Sequence, residues 1–323
     1  MQAVADLSEN VITTGNADQM LFERLERLFD WLIKPIMSAL DAAASHSDGI
    51  VVFVPHRELD KVPFAAMRDS SQPHAPWLVQ KFAMAIVPGL NELNGCIDRW
   101  ERFRLEEADL RSSLVVGNPS PMPHNAAPLL GAEEEAIEVA RILGCRLLLR
   151  DEARKGAVLS ALQCRAPPIV HLATHAVVHH DLYPEGALFL GADEGATARK
   201  SSTSRDGSGL ENAVLHSCEI RTMDLRARLC ILSTCDAGRG LALALIDAGV
   251  PCSILSLWPV HDRTTKELMI AFYAALLSGK TVAHSLRDAI LQLLDKLDET
   301  HRGHPGYWAA FFVSGLATVA VCR

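Results

Sequence analysis

Two short segments carry residues able to do covalent chemistry. HLATHAVV (171–178) presents His171 and His175 at the end of one apolar run, and LSTCDAG (232–238) presents Cys235 at the end of another. A thiol becomes a useful nucleophile when a positioned base takes its proton, and a neutral imidazole does this near pH 7. In an open parallel α/β sheet the reacting groups gather beyond the carboxyl ends of the strands. A His and a Cys leaving two such ends can meet if their strands are neighbours. Spacing alone makes His175 and Cys235 a candidate pair, since any α/β protein can end a strand in either residue. His171 shares the face of His175 while the strand stays extended, and a buried, hydrogen-bonded support is its expected role. A zinc site of His171, His175, His179 and His180 would need ligands converging from one strand and its loop. No Cys or acid stands beside them at metal-ligand spacing, so no metal is expected.

The elements that must position these residues alternate in kind. Apolar, β-branched runs at 50–55, 113–119, 146–150, 168–176, 229–235, 252–258 and 310–315 read as strands. They are continuous apolar blocks, as a parallel sheet covered on both faces requires. Between them lie helical patterns. Leu21, Leu25, Leu28, Phe29 and Leu32 recur at helical spacing until Pro35 kinks or ends the segment. Residues 131–143 carry acids in their first turns and stop at Gly144. A capping box from Thr264 to Glu267 predicts a helix running to Gly279, and a second amphipathic helix follows over 281–297. The alternation predicts an α/β fold with a mostly parallel sheet flanked by helices on both faces.

Composition narrows the partners. The 323 residues carry 31 Lys and Arg against 39 Asp and Glu, a net charge of −8 with no basic block, so nucleic acid is not an expected partner. None of the eight cysteines forms a CxxC pair, and several sit inside apolar runs as small core residues. The N-terminal segment has neither the basic start nor the apolar stretch of a signal peptide. The most apolar stretch, 241–260, is interrupted by Asp247, a glycine and two prolines, which argues against a membrane span. The expectation is a reduced, soluble, cytoplasmic protein. Residues 192–209 are small, polar and glycine-rich and predict a mobile surface loop, and Arg199, Lys200 and Arg205 would expose it to proteolytic nicking during activation. Prolines at 119, 121 and 123 mark a second loop.

A wider set of motifs extends the resemblance beyond two strand ends. VPHRELDKVPFAAM (54–67), LVVGNP, GAEEEAIEVARIL, IVHLATHA and VLHSCEIRTMDLRARLCILSTCDAG (214–238) follow in that order, then AGVPCSILSLWPVHDRTTKELMIAFYAALLSGK (248–280) and HPGYWAAFFVSG (304–315). In this order and wording the chain resembles the CHAT family, caspase-like cysteine peptidases related to separases within the caspase–gingipain–legumain group. The resemblance covers about residues 25–318 and implies a caspase-like α/β domain there. A lead-in segment would occupy 1–24 and a tail 319–323.

That resemblance implies a cysteine endopeptidase using a Cys/His dyad on protein or peptide substrates. The nucleophile falls on Cys235 and the catalytic histidine on His175. The oxyanion would be held by backbone N–H groups of Cys235 and Ala176. The primary specificity pocket of the group lies beside the strand after the nucleophile strand, which makes Ser256, Trp258 and Asp262 the substrate-binding candidates. An acidic wall there would suit Lys or Arg in the substrate. Trp258 can equally be a core aromatic, and Asp262 a helix N-cap. No cofactor is implied, and no membrane partner. Family members are often fused to tetratricopeptide repeats, so a separate repeat-containing regulator or activator is an expected partner. Three departures stand out: Ala176 replaces the glycine after the histidine, the loop after CDAGRG is shortened, and His261 replaces a common acid. They keep open an alternative, a catalytically degenerate CHAT domain serving as a protein-interaction or signalling module.

Overall fold

A computed structural model describes residues 16–44, 49–69, 71, 75–179, 181–193, 211–234, 238–258 and 262–321. Among these the strands are β1 (Ile50–Phe53), β2 (Ala83–Ile86), β3 (Leu114–Pro119), β4 (Arg146–Arg150), β5 (Ile169–Ala173), β6 (Ala176–His179), β7 (Tyr183–Phe189), β8 (Val214–His216), β9 (Leu229–Ser233), β10 (Cys252–Ser256) and β11 (Phe311–Gly315). Eight of them form one sheet in the order β1-β2-β11-β10-β9-β5-β3-β4, and β6, β7 and β8 form a small antiparallel sheet. Every pairing in the large sheet is parallel except β10 with β11. The carboxyl ends of β10, β9, β5, β3 and β4 therefore share one edge.

The continuous apolar runs of the central strands reflect burial on both faces, whereas the edge strands β1 and β4 leave Val52, Arg146 and Arg150 exposed. The pleat sends alternate residues to opposite sides. Val115, Ile169, Ile231 and Ile254 join one core, with the helices Leu130–Leu143, Asp262–Leu277 and Val282–Lys296. Leu114, Val116, Val170, Leu172, Cys230, Leu232 and Leu255 join the other, with Lys155–Arg165 and Gly238–Asp247. The fold is thus the expected mixed α/β sheet with helices on both faces. No helix among the described residues is long and apolar enough to cross a membrane. The apolar stretch at 241–260 is instead most of the helix Gly238–Asp247 followed by β10.

Several boundaries differ from expectation. The helix after β10 is described from Asp262, so Thr264 lies inside it and not at its N-cap position. The helix Asn16–Leu28 crosses the lead-in boundary at residue 24, with Leu21 and Leu25 both in the main core, and Val319 and Val321 of the expected tail are buried as well. β2 and β6 to β8 have no counterpart among the sequence-predicted strands: β2 is only four residues long, β6 is half-exposed, and Pro184 and Gly186 inside β7 resemble turn residues. Of the loop expected at 192–209, Ala192 and Asp193 are described, and the remainder, with Arg199, Lys200 and Arg205, lies outside the described residues.

One polar cluster sits within the apolar layers. His171, on the first core's face of β5, is fully buried, with Nε2 3.0 Å from Glu135 Oε1 and Nδ1 3.1 Å from the Tyr273 hydroxyl. The carboxylate accepts, so Nε2 carries a proton, and in the neutral ring Nδ1 receives the Tyr273 O–H. Burial pushes the Tyr273 hydroxyl well above its ordinary value, which keeps that proton in place. The cluster ties β5 to the helices Leu130–Leu143 and Asp262–Leu277. Elsewhere, Gly240 marks a close approach: a Cβ there would lie 2.0 Å from the Glu185 carbonyl oxygen of β7, whereas one on Gly95 would meet nothing within 4 Å.

Two stability predictions follow from these contacts. Tyr273→Phe should lose about 1 kcal/mol, and Glu135→Ala about 3 kcal/mol because it also orphans a buried N–H and leaves a void. Urea denaturation of both variants checks the order, and a costlier Tyr273 variant would refute the proton assignment. Gly240→Ala should destabilise by about 1–3 kcal/mol by forcing β7 away from the helix. Gly95→Ala, in an open helix position, should stabilise by about 0.5–1 kcal/mol in the same assay.

Candidate active site

The site is built on the pairing of β5 with β9, which runs without a break from Ile169 opposite Leu229 to Ala173 opposite Ser233. Both strands end at the shared edge. His175 follows two residues beyond Ala173. Cys235, the expected nucleophile, follows two residues beyond Ser233 and, with Asp236 and Ala237, lies outside the described residues. The large sheet thus makes neighbours of the two strands that carry the candidate pair.

His175 is half-buried and held from several directions. Its carbonyl accepts from the Phe189 N–H at 2.9 Å, and the Thr174 hydroxyl donates to the Phe189 carbonyl at 2.5 Å, so β7 grips the backbone on either side of the turn. The ring stands 6.4 Å from the Phe189 ring at 59°. Its Nε2 lies 2.9 Å from the Ala127 carbonyl oxygen. A carbonyl only accepts, so Nε2 must carry hydrogen, and the lone pair of the neutral ring sits on Nδ1. Ala127 had no signal in the sequence, because its contribution is a backbone oxygen. The nearest hint is the proline-rich run from Pro119 to Pro128 that fixes the loop.

Ala176 opens β6 opposite Leu188. It is not among the residues with positive φ, so alanine in place of glycine carries no left-handed strain. Hydrogen-bonded and non-bonded pairs alternate in an antiparallel ladder, and the Phe189–His175 bond makes Ala176 the non-bonded position. Its N–H therefore faces away from β7, at the outer edge of the small sheet.

The substrate-binding candidates lie on the other flank of β9. The Ser256 hydroxyl donates to the carbonyl of Thr234, the residue before Cys235. Trp258 is 2% exposed, belongs to the main core and donates through Nε1 to the Gly306 carbonyl at 3.2 Å. Asp262 is the first residue of its helix, and His261 lies outside the described residues. A small cleft of about 70 Å³ opens beside the end of β10, lined by Pro55, Asp60, Pro88, Arg239, Ser256 and Leu257 among others. Arg239 and Asp60 approach to 3.8 Å across it.

Four of the other cysteines are poor nucleophiles. Burial pushes the Cys230 thiol up to about 12 and the Cys252 thiol well above its ordinary value. Cys96 and Cys145 are pushed up to about 11, again chiefly by burial. All four hold their protons at neutral pH. Among the described residues, no group of three or more His, Cys, Asp or Glu could hold a metal ion. His171 is committed to Glu135 and Tyr273, and His179 Nδ1 accepts the Asp181 and Leu182 N–H groups at 3.3 Å each.

Comparison with known proteins fits this architecture. Tetratricopeptide repeat protein 28 of Homo sapiens is 28% identical over 341 residues, covering 90% of this chain and 13% of that protein. Its Mus musculus counterpart is 28% identical over 340 residues with the same coverage. The chain thus spans 13% of the length of these curated relatives. Among solved structures, the Arg specific cysteine proteinase gingipain R superposes with a TM-score of 0.51 at 11% identity, over 99% of this chain and 74% of that one. The separase in the Saccharomyces cerevisiae separase–securin complex gives a TM-score of 0.53 at 14% identity, over 82% and 15% respectively. At such identities the likeness is one of fold, and that fold is caspase-like. The CHAT domain family model matches residues 23–316, more than nine-tenths of the sequence, and the chain belongs to the CHAT domain family.

Proposed function

We propose that this domain is a cysteine endopeptidase of the cytoplasm in which His175 and Cys235 form the catalytic dyad. The observation that carries the reading is the unbroken parallel pairing of β5 with β9, which makes both strand ends adjacent at one sheet edge. In this reading Nδ1 of His175 takes the Cys235 proton, while the Ala127 carbonyl holds the opposite ring nitrogen. The thiolate attacks the scissile carbonyl and forms a tetrahedral intermediate, its oxyanion held by the N–H groups of Ala176 and Cys235. The C–N bond then breaks as imidazolium returns the proton to the leaving amine. Water, deprotonated by His175, hydrolyses the thioester and regenerates the thiol. Cys235 also lies three residues before the helix that starts at Gly238, and a helix N-terminus favours a thiolate.

Substrate recognition belongs in this reading to the flank formed by Ser256, Trp258 and Asp262. Trp258 backs that flank from the core and Ser256 ties its strand to the turn before Cys235, while Asp262 favours a basic residue before the cleaved bond. The name of the curated relatives supports a tetratricopeptide-repeat element as regulator, on the same polypeptide or a separate one.

Electrophilic peptide probes differing in the residue before the reactive group, with labelled sites read by mass spectrometry, test the dyad. Wild type should label at Cys235, with Cys96, Cys145, Cys230 and Cys252 unlabelled at neutral pH. His175→Ala should slow labelling at Cys235 about 100-fold or more, and Cys235→Ala should abolish proteolysis without unfolding. Equal labelling in the His175 variant, or cleavage that survives loss of Cys235, would refute the assignment. A folded wild type inert toward every probe would favour the non-catalytic interaction module.

A further inference from the structure

The carbonyl that orients His175 belongs to an exposed alanine, which has no side chain to anchor it. Something else must hold that oxygen in place. β3 pairs with β5 as far as Gly117 opposite Ala173, and Asn118 follows at a bulge in the pairing of β3 with β4, one strand away from His175. Asn118 is 3% exposed and adopts φ +45°, a left-handed conformation that asparagine tolerates better than most residues. Its Oδ1 accepts the Leu129 N–H at 2.8 Å, and its Nδ2 donates to Glu133 Oε2 at 2.7 Å. A carboxylate only accepts, so the orientation of the amide is unambiguous. Glu133 is in turn gripped by Arg150, whose Nε lies 2.8 Å from Oε2 and Nη2 2.7 Å from Oε1. Arg150 first, then Asn118, hold the Glu133 carboxyl below its usual range. The acceptor thus stays charged and in place.

The link from Leu129 back to Ala127 is stiff. Pro128 fixes its own φ and confines Ala127 to extended conformations. Fixing the Leu129 N–H therefore fixes the direction of the Ala127 carbonyl two residues earlier. We propose that Asn118 is a positioning residue that, through Leu129 and with Glu133 and Arg150 behind it, holds the Ala127 carbonyl on His175 and so keeps the proton-accepting lone pair on Nδ1. The inference deepens the peptidase reading and rests on it only for its effect on thiol reactivity. The state of the His175 ring is independent of that reading.

The test follows both quantities. Nitrogen-15 NMR of the histidine rings, with His175 assigned by its loss in His175→Gln, should show the Nε2–H tautomer in wild type at neutral pH. Asn118→Gly keeps a backbone able to adopt positive φ while deleting the amide. In that variant the His175 ring should become a mixture of tautomers, and peptide-probe labelling of Cys235 should fall ~10-fold, in line with loss of orientation. If Asn118→Gly does not fold, Asn118→Asp alone sets two carboxylates against each other and should give the same loss. An unchanged His175 tautomer in a folded Asn118 variant overturns the proposal. A tautomer change in a protein whose Cys235 labels in no variant supports the positioning role while sinking the dyad.

Discussion

Parallel pairing of β5 with β9 is the constraint on which the candidate site depends. Evenly spaced parallel hydrogen bonds fix the register of the two strands along their whole length. With Ala173 opposite Ser233, the next residues of both strands must leave the sheet at the same level. The large sheet reinforces this, because β3 and β10 flank the pair with the same polarity. The one antiparallel junction, β10 with β11, lies beyond that block. Both faces of the strands are buried in separate helical layers, so a slip by one residue would exchange the two cores and expose His171 to the wrong one.

Around this frame the polar groups divide by depth. His171, Glu135 and Tyr273 satisfy one another beneath the sheet and bind three elements into one layer. His175, four residues later, is half-exposed and spends one ring nitrogen on a backbone carbonyl, which leaves the other unspent by that contact. The same strand thus supplies a saturated histidine and an orienting one. Thiols divide likewise: those in the strands are held protonated by burial, and Cys235 follows its strand toward the N-terminus of a helix.

The small sheet gives the edge its shape. β7 holds the backbone of His175, packs against the first turn of Gly238–Asp247, and approaches so closely that only glycine fits at 240. On the opposite flank, Ser256 ties the end of β10 to the Thr234 carbonyl, and a cleft opens between them and the 55–60 segment. Two independent elements therefore brace the ends of β5 and β9 from either side. The likeness to gingipain R and separase at 11% and 14% identity shows that the fold tolerates almost complete replacement of sequence.

Much of the large sheet was legible in the sequence, because runs such as LVVGNP and LCILS lie buried on both faces, whereas IVVFVP forms an edge strand with Val52 and Val54 exposed. Gly144 marked a helix end for an equally local reason, a left-handed stop. His175 was legible as a candidate from its place after an apolar run. The small sheet was not, since Pro184 and Gly186 carry turn chemistry that only pairing with β6 and β8 overrides. Nor was the role of Ala127, Leu129 or Asn118. A backbone carbonyl has the same chemistry in every residue, so the sequence determines which side chains are available near a strand end. Which main-chain oxygen faces the imidazole is decided only when β3 and β5 pair and the loop between β3 and its helix closes over them.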